Sequence, residues 1–151
     1  MNDNPGQVVR RYYEGVFGQR NLGVLDEVIA PDFVGHSAGY GDFTIADMRR
    51  DLAREFADMP HDETIVVDQL VTGNRVVTRW RYRWQHAVSL FGERPTGEWL
   101  EMEGVHIDRV AAGKIAERWE IKDLRGVVRR LGGTVTIADD REPAPVQEGG
   151  Q

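Results

Sequence analysis

Three side chains able to move protons interrupt stretches that are otherwise apolar or strand-patterned. His36 follows Phe33-Val34-Gly35, His106 stands two residues past Gly104, and Asp123 comes where strand alternation gives way to a helical period. A polar group on a covered face carries a desolvation cost unless it is paired or used, so these positions are candidates for acid/base chemistry. Each also has a structural role open to it. Either histidine can be a satisfied core or rim residue, and Asp123 stands where the helix beginning at Leu124 needs an N-cap. The chain contains no cysteine, which removes thiolate nucleophiles, disulfides and Cys-based metal sites. Asp and His therefore form the catalytic repertoire, and any metal would have to rest on four histidines and on carboxylates.

Two kinds of pattern must position these residues. Helical spacing joins Val9, Tyr12, Tyr13, Val16 and Phe17 over residues 7–17, then Leu22, Leu25, Val28 and Ile29 up to Pro31. After a loop containing Gly39 and Gly41, Thr44 caps a third helix carrying Ile45, Met48, Leu52 and Phe56. From Glu63 the period becomes two, which predicts strands over 64–71, 75–88, 98–110 and 114–122 with turns at Gly73 and Gly113. A short helix over 124–131 ends at Gly132-Gly133. Helices followed by a meander of long antiparallel strands make the class α+β.

Alternation sorts the strand residues into faces. Val76, Trp80, Tyr82, Trp84 and His86 share one face, and Arg79, Arg81 and Arg83 share the other, opposite Glu101 and Glu103. Counting in twos from Ile115 sends Trp119, Ile121 and Asp123 to the covered face beside Leu100, Met102 and His106, and leaves Arg118 and Glu120 outside with the arginines.

With 151 residues the chain suits one domain, residues 1–133, followed by a tail over 134–151. From Ala138 the tail reads ADDREPAPVQEGGQ, without an aromatic residue, and is expected to be mobile. Against 19 basic residues stand 25 acidic ones, a balance that argues against nucleic acid or anionic lipid as partner, because both need a basic surface. The first residues lack the features of a secretion signal, and no run approaches the roughly 20 apolar residues of a membrane span, so a cytoplasmic protein acting on a small molecule is expected.

The segments Arg10-Arg11-Tyr12-Tyr13-Glu14, Ala30-Pro31-Asp32-Phe33-Val34-Gly35-His36-Ser37, and Gly113 to Asp123 with the Leu124–Gly132 stretch after it resemble the SnoaL-like polyketide cyclases of the nuclear transport factor 2-like superfamily. The resemblance covers about residues 5–133. It implies a curved antiparallel sheet wrapped by N-terminal helices into a cone-shaped barrel with an apolar pocket. It further implies ring closure of an aromatic polyketide by intramolecular aldol condensation, in antibiotic biosynthesis, without metal or organic cofactor, in a homodimer or homotetramer. On this resemblance Asp123 is the acid/base, made more basic by burial against Trp119, with His36 and His106 in the same pocket. Tyr13, Trp80, Tyr82, Trp84, Met102 and Trp119 would contact a flat substrate. Kindred readings are a cofactor-free hydroxylase, an isomerase and a non-catalytic binding module. An epoxide hydrolase would need an Asp-Arg-Asp set in the pocket, and the arginines are expected on the opposite face.

Overall fold

A computed structural model of the chain describes residues 4–133, so the expected tail lies outside the described residues. Helix α1, Pro5–Tyr12, starts with proline in its first turn and with the Asn4 side chain accepting from the Gly6 N–H at 3.0 Å. It runs on as a π-helical turn, Tyr13–Gly18. Helix α2, Val24–Val28, then passes directly into strand β1, Ile29–Ser37, and β2, Gly41–Phe43, follows. Helix α3, Ile45–Asp58, opens on the predicted Thr44 cap, completed into a capping box by Asp47. Strands β3, Asp62–Thr72, β4, Arg75–Gln85, β5, Trp99–Ala111, and β6, Lys114–Lys122, lead to helix α4, Leu124–Arg130.

The fold is α+β, with one curved six-stranded sheet in the order β2-β1-β6-β5-β4-β3. The sheet stays open, ending on β2 and β3. The predicted meander accounts for β3 to β6, which pair antiparallel in sequence order. Residues 29–37, where helix and loop were expected, instead add a strand that pairs with β6 in parallel. Pro31 is accommodated because the β1–β6 ladder is irregular between Ile29 and Val34, where no regular bond from its missing N–H is needed. Val9, Val16, Leu25, Ile29, Val76 and Ile115 are essentially buried where the first helices cross the sheet.

One feature of β6 reverses an expectation. Val110 pairs with Ile115, but Arg109 pairs with Glu117, so Ala116 is an extra residue, a β-bulge. Because side chains alternate with a period of two, one inserted residue exchanges the faces for the rest of the strand. Arg118, Glu120 and Lys122 therefore stand on the inner face, opposite Asp108, His106 and Gly104, while Trp119 and Ile121 stand outside. Counting in twos from Ile115 had placed them the other way round.

The outer face carries the expected ion pairs. Arg79 meets Asp68 at 3.1 Å, Arg81 meets Glu103 at 3.2 Å, and Arg83 lies 3.5 Å from Glu63 and 3.6 Å from Glu101. Leu70, Val77, Ile107 and Trp119 form an apolar row across four strands on this face.

Candidate active site

Between α3, the π-helical turn and the inner face of the sheet lies a cavity of about 550 Å³. Its floor is a connected set of charged and aromatic side chains. His106, on β5, is 5% exposed and stands between two partners. Its Nδ1 lies 2.6 Å from the Tyr13 hydroxyl, and its Nε2 lies 2.9 Å from Glu120 Oε2. Lys122 Nζ holds the other oxygen of Glu120 at 3.0 Å.

The protonation states follow from these contacts. Burial holds the His106 pKa down at about 4, helped by the Arg118 charge and opposed by Glu120. Burial raises the Glu120 carboxyl, but the bonds from His106 and Lys122 outweigh it and bring it down to about 2. At neutral pH the pair is thus a neutral imidazole and a carboxylate. A carboxylate only accepts, so Nε2 carries the imidazole proton and Nδ1 accepts from the Tyr13 O–H.

The wall behind this chain is a buried ion pair. Arg118 and Asp108 side chains are 1% and 0% exposed and bond twice, Nε to Oδ1 at 2.7 Å and an Nη to Oδ2 at 3.1 Å. The Arg118 guanidinium lies 4.3 Å from the centre of the Tyr12 ring. An arginine therefore does line the cavity, contrary to expectation. Its side-chain hydrogen bonds among the described residues both go to Asp108, so the Asp-Arg-Asp set of an epoxide hydrolase is not formed.

A second carboxyl, Glu55, enters from α3 on the same stripe as Met48 and Leu52. Burial pushes its pKa up, with the Asp62 and Glu120 charges adding to the rise and Lys122 and the Tyr82 hydroxyl opposing it. Trp80 lies flat over Gly104, where an added Cβ would stand 2.2 Å from the indole ring. Trp80, Tyr82, Met48 and Met102 supply apolar surface, and exposed Tyr40 stands at the rim.

Of the residues singled out from sequence, His106, Tyr13, Trp80, Tyr82 and Met102 meet at this cavity. The structure does not bring Asp123 or His36 to it. Asp123 is exposed and caps α4, accepting from the Gly126 N–H at 2.9 Å, so the burial expected to raise its basicity is missing. His36 sits on the outer side of β1, its Nδ1 2.8 Å from Asp42 and its Nε2 3.0 Å from Glu117. Two carboxylates on two ring nitrogens require the imidazolium, and those hydrogen bonds raise its pKa. Trp119 packs outside beside His36, and Trp84 is core, stacked on Tyr82 with ring centres 5.2 Å apart. His86 is buried away from the cavity, with Nδ1 3.1 Å from the Thr96 hydroxyl. Glu120, Glu55, Lys122, Arg118 and Asp108 were missed. Glu55, one helical turn beyond Leu52 on an apolar stripe, was the one with a visible signal.

Among the described residues no three or more His, Asp or Glu side chains are grouped to hold a metal ion, and no helix is long and apolar enough to cross a membrane. The family model of the SnoaL-like polyketide cyclases matches residues 7–131. The chain belongs to this family. Among solved structures, this SnoaL-like protein is similar to IdmH of Streptomyces antibioticus, a candidate polyketide cyclase, at 30% identity and TM-score 0.78 over 85% of this chain and 99% of that one. It shares its fold with AclR of Streptomyces galilaeus, a candidate hydroxylase, at 21% identity and TM-score 0.76 over 90% and 91% of the two chains. A candidate polyketide cyclase of Acidithiobacillus ferrooxidans, 21% identical with TM-score 0.73 over 85% and 94%, shares the fold as well. No curated protein sequence matches the SnoaL-like chain.

Proposed function

We propose that the protein closes a ring in a polyketide-like aromatic substrate by intramolecular aldol condensation, with Glu120 as base and Glu55 as acid. The observation that carries this reading is two carboxyl groups in one aromatic-lined cavity, whose surroundings push their proton affinities in opposite directions. Glu120, the ionised member, takes the proton from a carbon between two carbonyls. The new carbon–carbon bond turns the attacked carbonyl into an alkoxide, and Glu55, whose burial raises its proton affinity, supplies a proton to it. Solvent then returns the proton from Glu120 to Glu55. Lys122 follows the charge: as negative charge passes from Glu120 to the enolate oxygen, the ammonium can turn toward that oxygen, which strengthens Glu120 as a base during the transfer. Trp80, Tyr82 and Met102 fold the substrate, and the cavity limits water.

A module that only held an apolar ligand would have no use for buried charge, each element of which carries a desolvation cost. The apolar row on the outer sheet face, in which Leu70 is 69% exposed, together with Ile121 on the same face at 66%, suits a two-fold contact between copies. Sedimentation at micromolar concentration tests that dimer.

The catalytic reading is tested with an anthraquinone-type ester bearing a β-dicarbonyl side chain, following ring closure by absorbance. Glu120→Gln is expected to lower kcat/KM by about 10²- to 10⁴-fold. Glu55→Gln is expected to remove the alkaline descending limb of the pH profile, which lies above the ordinary glutamate range because the acid must be protonated. Full turnover by Glu120→Gln would overturn the assignment.

A further inference from the structure

Two of the 19 Lys and Arg residues are lysines, Lys114 and Lys122, and every other such cation is an arginine. Arginine stays protonated and supplies charge alone. A lysine differs in one chemical respect: its amine can give up a proton and attack a carbonyl carbon. Lys114 opens β6 and is tied to the Asp26 carbonyl oxygen at 2.5 Å. Lys122 closes the same strand, turned inward by the Ala116 bulge, and lines the cavity. Its side chain keeps 31% exposure, so a ligand in the cavity can reach it. Nζ stands 3.0 Å from Glu120 Oε1, which places a proton acceptor beside the amine. Gly104 is the register partner of Trp80 on one side and of Lys122 on the other, so the amine shares a row across three strands with an aromatic residue of the cavity.

We propose that Lys122 is a nucleophilic amine that joins covalently to small 1,3-dicarbonyl compounds as an enaminone, an activity separate from ring closure. It rests on the cyclisation reading only in using Glu120 as proton acceptor, and it needs neither an aromatic substrate nor Glu55. Glu120 takes a proton from the Nζ ammonium, which leaves a lone pair on nitrogen. Entry of the ligand displaces water and removes the solvation that favours the charged pair, which eases this transfer. Nζ attacks one carbonyl carbon: a C–N bond forms, the C=O π pair moves to oxygen, and a proton passes from nitrogen to that oxygen. Glu120 returns its proton to the new hydroxyl, which leaves as water while the nitrogen lone pair makes C=N. The iminium acidifies the carbon between the two carbonyl positions, and Glu120 removes a proton there to give the neutral enaminone. The net change is ammonium and dicarbonyl to enaminone, water and one proton released to solvent. Nothing is oxidised or reduced.

The experiment incubates the full chain with pentane-2,4-dione, follows the near-ultraviolet absorbance of the enaminone and the intact mass, and maps the modified amines by peptide mass spectrometry. Expected is a fast phase of one equivalent, a mass gain of one dione less one water, located on Lys122. With an adjacent base this phase should run about 10²-fold faster than labelling of Lys114, of the α-amino group or of free Nα-acetyllysine. Lys122→Arg keeps the positive charge beside Glu120 and is expected to abolish the fast phase, leaving only the slow labelling of the other amines. Should that variant fail to fold, the map of the wild-type chain decides alone. A Lys122 rate no greater than that of Lys114 or of free Nα-acetyllysine overturns the proposal, as does a fast phase that persists in folded Lys122→Arg. No cyclisation substrate enters the assay, so the two activities are judged apart. An adduct without ring closure refutes only the cyclase, and ring closure without an adduct refutes only the nucleophile.

Discussion

Replacing Arg118 with Met removes the cation from a pair whose side chains are 1% and 0% exposed. The Asp108 carboxylate is then left without either of its bonds in a site that water does not reach, and losing one partner of a buried pair costs about 3–5 kcal/mol. Met fills part of the space of the arginine stem, but the contact of the guanidinium with the Tyr12 ring is lost as well. We therefore expect about 4 kcal/mol of destabilisation at pH 7.5. For about 130 ordered residues at about 2.1 cal/mol/K each, this lowers Tm by about 15 °C. Coupling Arg118→Met to Asp108→Leu removes the orphaned charge and is expected to recover at least about 2 kcal/mol. The single variant also acquires a pH signature. An orphaned buried carboxyl costs less neutral than charged, so the gap to wild type is expected to be smaller at pH 5 than at pH 7.5. Urea unfolding followed by circular dichroism at both pH values measures all three quantities. The reasoning is refuted if the single variant loses less than about 1 kcal/mol, or if single and double variants are equally destabilised.

Three further outcomes are expected. Asp123→Ala removes the α4 cap, so it should reduce stability by about 1 kcal/mol in urea unfolding while cyclisation stays within about twofold of wild type. The His36 pKa is raised by Asp42 and Glu117, so the tie it makes between β1, β2 and β6 is complete below the unfolded value near 6.5 and is lost as pH rises through the higher folded value. Hydrogen exchange at the Asp42 amide should therefore speed up over that alkaline range in wild type, beyond the intrinsic rise with pH, and not in His36→Phe. Gly104→Ala places a methyl 2.2 Å from the Trp80 ring, which must tilt into the cavity at a cost of about 1–3 kcal/mol, visible in near-ultraviolet circular dichroism and as a raised KM.

The inner face of β4 and β5 was legible because ten or more residues alternate there without interruption, and Trp80, Tyr82, Met102 and His106 all fall where alternation places them. The Thr44 cap was legible because a cap is a local device, complete within four residues. What escaped was set by long-range pairing. Residues 29–37 carry a proline, a glycine and three polar residues, so nothing local marks them as a strand, and only the exposed edge of β6 makes them one. Glu120 escaped for a related reason: Ala116 looks like any other strand residue, and only the register of β5 shows that it is unpaired. Asp123 drew attention by standing at a strand end, but a carboxylate at that point satisfies the first N–H groups of the next helix, and the local demand was met.

The bulge at Ala116 makes the composition of the cavity floor a matter of register as much as of residue type. Deleting Ala116 would leave a regular ladder with Arg118, Glu120 and Lys122 still opposite Asp108, His106 and Gly104. Were Ala116 instead absorbed into the ladder opposite Arg109, each later residue would move one place along β5, turning Glu117, Trp119 and Ile121 inward and leaving Asp108 and His106 without their partners. The buried pairs of Arg118 with Asp108 and of Glu120 with His106 thus favour the register that holds Ala116 out of the ladder. When sequences are aligned across this segment, gap placement decides which residues are assigned to the cavity.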